Sequence, residues 1–419
     1  MNLSDYKDGK SMQFPTTGWI RNAALFLFGK GISLLGSFLI NYAIIWHVTM
    51  KTQSSSVMTL FAFSAILPMF FISPVAGVWA DRYNRKHLIN IADASIAAVT
   101  LLISAALFCG FEYLWMLLIC SVVRALGIGV RNPSENAILP LIIPKDNLSR
   151  ISGINSSMIS IIMLVAPTLG GAVLTIAPIQ YLMLINVITA GISIVILLFF
   201  VRIPQKPTCE KKEGGFFYYV TDIKKGFRYI YNHTFITQLL IVAAIYYIMI
   251  CPAEFLTPLQ VTRNFGADVW RLAVVEVSFS VGLLLGGISI SLWGGFRNKS
   301  YNMAAAIFFF GAETTLLGIT DSFIIYMICM ALIGLSIPFY ITQLTVILQI
   351  RVEESYLGRV FSVLTMISSV MMPLGMVFWG PLGDIVSIDY LLISTGVGMS
   401  MLVFPIILSK EIREAGRPI

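Results

Sequence analysis

Along the chain, long apolar blocks alternate with short polar breaks, and nearly every break carries charge. Within a block the residues do not alternate between apolar and polar. The segment Ile192 to Phe200, for example, reads ISIVILLFF and closes a longer apolar stretch. A lipid-facing barrel strand alternates over about ten residues, so the pattern predicts helices. A helix that crosses the hydrocarbon core needs roughly 20 apolar residues. Blocks of that kind fall at 19–48, 56–79, 88–110, 114–132, 150–176, 180–201, 235–261, 272–292, 301–319, 322–349, 357–382 and 389–409, which predicts twelve spans. The expected fold is an all-α membrane protein in two six-helix halves. Its parts are an N-terminus at 1–18, a first bundle at 19–201, a linker at 202–234, a second bundle at 235–409 and a C-terminus at 410–419.

Composition agrees with the pattern. The 419 residues are 57% hydrophobic and 12% charged, with a mean hydropathy of +0.85. An ordinary soluble domain is about 45–50% apolar and about 25% charged. Disorder is excluded, because disordered chains are poor in apolar residues and rich in charge. Residues 1–18 are polar and the first apolar block is long enough to persist as a helix, so no cleaved leader is expected. The five cysteines, Cys109, Cys120, Cys209, Cys251 and Cys329, show no metal-binding spacing and are expected to be inert thiols.

The net charge of +7 raises the question of nucleic acid. Nucleic-acid binding requires basic residues clustered on one face, whereas these lie in short loops between spans. With the N-terminus inside, 23 of the 28 Lys and Arg collect on the cytoplasmic side. That total includes Arg21, Arg131, Arg150 and Arg359 at span ends, and the opposite side holds only Lys51, Arg263 and Arg271. The positive-inside rule therefore places both termini in the cytoplasm. The linker from Arg202 to His233 carries seven Lys or Arg and three acids. Its stretch FFYYVTDIKKGFRYIY mixes aromatics with bases and is expected to lie as an interfacial helix on the anionic inner leaflet.

The loop after the second span reads Gly77-Val-Trp-Ala-Asp81-Arg82-Tyr-Asn-Arg85-Lys86. This G-x-x-x-D-R-x-x-R-K spacing suits a gate. Gly77 allows close helix approach, and Asp81 is an anion suited to a helix N-terminus or a cation. Arg82, Arg85 and Lys86 hold the loop inside and can exchange ion pairs. The same spacing is the signature loop of the major facilitator superfamily. The chain resembles the macrolide efflux family within that superfamily nearly end to end. The likeness also rests on RALG from Arg124, Pro133 with AILPLIIP ending at Pro144, GLSIPFY from Gly334 to Tyr340, and YLGRVFS from Tyr356 to Ser362. The resemblance implies a proton-driven exporter of amphipathic compounds in a bacterial cytoplasmic membrane, with no enzymatic activity and no cofactor. Related branches move siderophores, so a metabolite or siderophore exporter, or an uptake carrier, is the alternative. A receptor or scaffold on the same fold would need no embedded charges.

Two departures from the family pattern stand out. Ile128 occupies the place where a Gly often follows the fourth-span Arg by four positions. The fifth-span antiporter pattern G-P-x-x-G-G appears as Ala166-Pro167-Thr168-Leu169-Gly170-Gly171, with Ile162 at an earlier Gly position. Small faces recur at Gly29, Ser33 and Ser37, with Asn41 next, and at Gly282 and Gly286. Such faces let helix backbones approach closely.

A charge inside a span costs about 2.5–3.5 kcal/mol on insertion scales and marks a candidate functional group. Arg124 lies near the midplane and is expected to pair with a carboxylate or to lower a carboxylate's pKa. Asp93 is expected to support the Asp81 gate or to titrate. Glu254, between Pro252 and Pro258 in the seventh span, is the favoured proton carrier, because prolines break helices where transporters build sites. Glu276 and Glu313 are expected to be solvated near the outer surface, Arg131 and Glu135 to belong to a loop, and Lys30 to snorkel toward the inner face. Asn41, Tyr246, Tyr247, Met249, Tyr340 and Gln343 are candidates to line a cavity for a bulky ligand. The implied partners are a small amphipathic substrate, protons and the lipid bilayer, with no nucleic acid. A monomer is expected, and nothing in the sequence indicates an ATPase partner. Gly9-Lys10-Ser11 resembles the end of a phosphate loop, but Ser4 stands where Gly is required. His47, His87 and His233 are isolated, so no metal site is expected.

Overall fold

A computed structural model describes residues 18–203 and 228–417. The described residues are helical, without strands, and twelve helices are long and apolar enough to cross a membrane. The first six spans are α1 (Trp19–Thr52), α2 (Ser55–Arg82), α3 (Arg85–Phe108), α4 (Leu114–Ile142), α5 (Lys145–Ile176) and α6 (Ile179–Val195). A π-helical turn, Ile196–Phe200, extends α6. The seventh span is broken into α7 (Thr234–Phe255) and α8 (Thr257–Asn264). Then follow α9 (Val269–Trp293), α10 (Lys299–Ile319), α11 (Phe323–Arg351) and α12 (Glu354–Ile385). The twelfth span comprises α13 (Ile388–Met401) and α14 (Val403–Leu408), and a short α15 (Lys410–Ala415) closes the chain. Residues 204–227 of the linker, and with them most of its expected interfacial helix, lie outside the described residues.

Several helices run further than the apolar blocks predict. α4 continues ten residues past 132, to Ile142, and keeps Pro133 and Pro140 inside the helix. Consequently Arg131 and Glu135 belong to a buried helix and not to a loop: Arg131 is 3% exposed and Glu135 6%. Their polarity hid the continuation, because a charged turn ends an apolar block without ending a helix.

The chain forms two compact units that follow a different division from the sequence halves. The first comprises the described residues 18–41, 64–166 and 178–203. In it α3 packs on α4 and α6. One core of it gathers Ala23 and Phe26 from α1, Ile89 from α3, Ile138 and Ile142 from α4, and Leu197 from the π turn.

The second unit comprises 42–63, 167–177 and 228–417. It thus takes the end of α1, the start of α2 and the end of α5 together with spans seven to twelve. Its tightest pairings are α9 with α11 and α10 with α11 and α13. Gly282 and Gly286 are what allow the α9–α11 contact. A β-carbon on Gly282 would lie 1.8 Å from the Ala331 carbonyl oxygen, and one on Gly286 would lie 2.4 Å from that of Leu335.

Candidate functional site

In the first unit, four embedded charges form one connected network. Arg131 Nη1 lies 3.1 Å from Asp93 Oδ1, and Arg131 Nε lies 3.5 Å from Glu135 Oε1. Glu135 Oε2 is in turn 3.1 Å from Lys30 Nζ. Arg131 Nη1 also donates to Ser33 Oγ at 3.1 Å. The network holds two bases and two acids, so it is neutral overall. Burial demands this, because an isolated charge in an apolar interior is strongly disfavoured while paired charges compensate each other. Lys30 therefore does not snorkel to the surface: its side chain is 8% exposed and ion-paired within the unit. Asp93 finds its partner in Arg131.

Arg124 sits about 15 Å from the start of α4, at roughly 1.5 Å per residue. It has neutral partners and not the expected carboxylate. Nη1 donates to Asn186 Oδ1 and Nη2 to the Ser37 carbonyl, each at 3.0 Å. The guanidinium fork is thus oriented by an amide on α6 and a backbone carbonyl on α1. Asn186 carried the same signal as Asn41, an amide deep in an apolar span, yet sequence reading passed over it. The small-residue face of α1 has two roles. Gly29 meets Ile196 and Ser193, while Ser33 and the Ser37 carbonyl accept hydrogen bonds from the two arginines.

The signature loop is anchored through backbone carbonyls. Arg85 Nε donates to Ala80 O at 2.7 Å and Nη1 to Ala137 O at 2.9 Å, tying the ends of α2 and α4. Lys86 Nζ donates to Leu198 O at 2.8 Å and Val201 O at 3.0 Å, supplying a cation at the end of the sixth span. Asn84, which sequence reading missed, caps α3 by accepting from Lys86 N at 3.0 Å. Among the described residues, the close approach expected at Gly77 is not found: a β-carbon there would meet nothing within 4 Å. The side chains of Asp81 and Arg82 lie outside the described residues. Of the fifth-span motif, Ala166 belongs to this unit and is fully buried.

In the second unit, Pro252 and Pro258 bracket the break between α7 and α8, and Glu254 occupies the last turn of α7. Its neighbours Pro252, Ala253 and Phe255 are buried, yet Glu254 is exposed. Among the described residues it has no ion pair. It interacts electrostatically with Glu276 and Tyr42, both half-buried. Glu276 is therefore part of an acidic neighbourhood, where sequence reading placed it in solvent. Glu313 is also not solvated. It is 8% exposed within α10 and accepts a hydrogen bond from Ser336 Oγ at 3.2 Å.

The proposed cavity-lining residues divide. Asn41 is exposed, and Tyr247 and Met249 are half-buried. Tyr246, Tyr340 and Gln343 are 1–2% exposed and present no surface to a cavity in this conformation. The two Tyr rings stack at 3.9 Å between centroids. Pro167, Gly170 and Gly171 are buried, and Gly171 packs against Ala273 and Trp46. Sequence reading also missed a polar knot. Gln260 Nε2 donates to Leu317 O at 2.9 Å and Asp389 Oδ1 at 2.8 Å, while its Oε1 accepts from the Tyr326 hydroxyl at 2.8 Å. Among the described residues, no cluster of three or more His, Cys, Asp or Glu could hold a metal ion.

Comparison with known proteins adds the following. The family model described as Major Facilitator Superfamily matches residues 26–376. Macrolide efflux protein A of Streptococcus pyogenes is 28% identical over 92% of this chain and 95% of its own length. The protein of the same name from Enterococcus faecalis is 29% identical over 74% of this chain and 96% of its own. The multidrug efflux pump Tap of Mycobacterium bovis is 23% identical over 86% and 87%. Among solved structures, a bacterial homologue of the iron transporter ferroportin in an inward-facing state superposes with a TM-score of 0.72. It is 12% identical, over 92% of this chain and 98% of that one. The nucleoside transporter NupG gives 0.68 at 13% identity, over 93% and 99%. At such identities the structures speak for the fold alone.

Proposed function

The chain belongs to the major facilitator superfamily, and from that premise we propose that it exports amphipathic drugs, macrolides foremost, by proton antiport. Membership makes it a multi-pass membrane transporter of small substrates and not an enzyme. The observation that carries the finer reading is its similarity to macrolide efflux protein A across 92% of this chain and 95% of the relative. Transport would proceed by alternating access, with both termini in the cytoplasm, as the distribution of Lys and Arg favours. The carrier would act as a monomer, with protons and the substrate as its only partners besides lipid.

Glu254 would carry the proton. It is an accessible carboxyl at a broken span, and a carboxylate that exchanges a proton for a cationic drug is the simplest antiport chemistry. Arg124 would orient α1 and α6 around the substrate path. The test is a resistance panel in a pump-deficient host, comparing macrolides, cationic dyes and siderophores. It is run beside everted-vesicle assays of drug-induced proton release. Macrolide resistance abolished by an uncoupler, and proton release lost in Glu254→Gln, are the expected results. Resistance confined to siderophores would replace the substrate class. Unchanged proton release in Glu254→Gln would remove that residue from the coupling step.

A further inference from the structure

The spacing G-x-x-x-D occurs at the ends of two spans, as Gly77 to Asp81 in α2 and Gly380 to Asp384 in α12. By the parity of the spans these ends lie on opposite sides of the membrane. Among the described residues nothing covers Gly77, whereas Gly380 is covered by Thr59: a β-carbon there would lie 1.8 Å from Thr59 Oγ1. From this contrast and the geometry around Asp384, we infer that the end of α12 is a releasable latch on the start of α2. It would hold the side opposite the termini shut in this state and let go when that side opens. The inference rests on the alternating-access reading above.

The contacts are specific. Asp384 Oδ1 accepts from Ser55 N at 2.7 Å, and Oδ2 accepts from Ser56 N and Ser54 Oγ at 2.9 Å each. The first N–H groups of a helix have no partner within the helix, and here a carboxylate from another span supplies one. The Ser55 hydroxyl donates to the Gly380 carbonyl. Arg263, at the end of the seventh span, lies 3.7 Å from Asp384 Oδ1. It also donates to Gly383 O at 3.0 Å and Gln53 O at 2.7 Å. Gln53 is the one described non-glycine residue with positive φ, at 46°. Arg263 thus holds the strained turn between α1 and α2 to the same carboxylate end.

Two features make the contact releasable and not a permanent tie. The side chains of Arg263 and Asp384 are 31% and 29% exposed, so water can replace their partners on separation without leaving a buried charge behind. Beneath them small residues face each other, Gly380 against Thr59 and Gly383 against Ser55.

The test places a cysteine under the seam. In the full chain bearing Thr59→Cys, labelling by a membrane-impermeant maleimide is followed in right-side-out and inverted vesicles. Slow labelling is expected, from the side opposite the termini only. Asp384→Asn should raise the rate at least tenfold, and Arg263→Gln by a smaller factor. Equal rates in all three proteins, or labelling from the termini side, would overturn the latch. If Asp384→Asn elutes as an aggregate, Arg263→Gln and Ser54→Ala carry the same comparison. In a second arm, the Ser54→Cys/Asp384→Cys pair is oxidised, and efflux of erythromycin and of ethidium is measured before and after reduction. Arrest by the disulfide and recovery on reduction are expected, and full efflux from the cross-linked protein would show the contact to be static. Should neither probe move even when reduced, the transport reading fails, while the labelling arm still decides the latch.

Discussion

Replacing Arg131 with Met tests whether the buried network in the first unit is held together by charge. In the folded protein Arg131 stands 3.1 Å from Asp93 and 3.5 Å from Glu135. At an effective dielectric of about 20, a pair of unit charges at that first separation attracts by about 5 kcal/mol. Both side chains of the Arg131–Asp93 pair are 3% exposed, so solvent screening is small. Arg131→Met leaves two carboxylates facing one lysine. Removing one partner of a buried pair costs about 3–5 kcal/mol, mostly from the charge left behind. Asp93→Asn leaves Arg131 its second carboxylate and should cost less, about 2 kcal/mol. The double variant removes the pair and leaves the neutral Lys30–Glu135 couple. It should therefore be more stable than Arg131→Met alone, with a coupling energy of about 3 kcal/mol, at the upper end for residues in direct contact. The measurement is reversible unfolding in mixed micelles for the wild type, the two single variants and the double. A double variant that loses the sum of the two single costs would refute the argument. Asp93 and Arg131 would then share a location without sharing their energy.

Three further outcomes follow from the same reasoning. Gln260→Leu should cost about 3 kcal/mol, because the buried Tyr326 hydroxyl loses its acceptor. Adding Tyr326→Phe should recover part of that loss, as read by thermal unfolding. Lys86→Met removes the cation from the Leu198 and Val201 carbonyls; about 1–2 kcal/mol should be lost, with faster amide exchange confined to residues 196–203. Gly282→Val drives a β-carbon into the Ala331 backbone and should abolish the folded protein in detergent extracts, whereas Gly287→Ala, with nothing within 4 Å, should express normally.

The fold was largely legible because the membrane imposes one rule on every span. Helices of about 20 apolar residues are the simplest way to satisfy the backbone in lipid, so apolar blocks count helices directly. That rule fails wherever a helix continues through polar residues. The charged turn at Arg131 ended an apolar block, yet α4 runs on because Asp93 and Lys30 arrive from other helices to compensate it. No local pattern could announce those partners, since they lie 38 residues from Arg131 and 105 from Glu135 along the chain. The break at Glu254 was legible for the opposite reason, because Pro252 and Pro258 act on their own helix. The Asp384 contacts escaped notice because Asp384 sits at a span end, where a charge is ordinary. Only the seating of α2 beside it makes that carboxylate unusual.

Depth in a span is therefore a poor guide to what an embedded charge does; the partners are the better guide. Lys30, Asp93, Arg131 and Glu135 neutralise one another, and loss of the charge on any of them would break a compensated set. The set serves best as a rigid joint between α1, α3 and α4. Among the described residues Arg124 donates to an amide and a backbone carbonyl, and Glu254 and Glu313 have no ion pair. A change of charge at these three positions breaks no existing pair. Between the two acids, access decides: Glu313 is closed off and donor-bound, while Glu254 is open at a broken helix. A proton exchanged for substrate, as proposed above, must reach its site, and by that criterion we place Glu254 ahead of Glu313 as its proposed carrier.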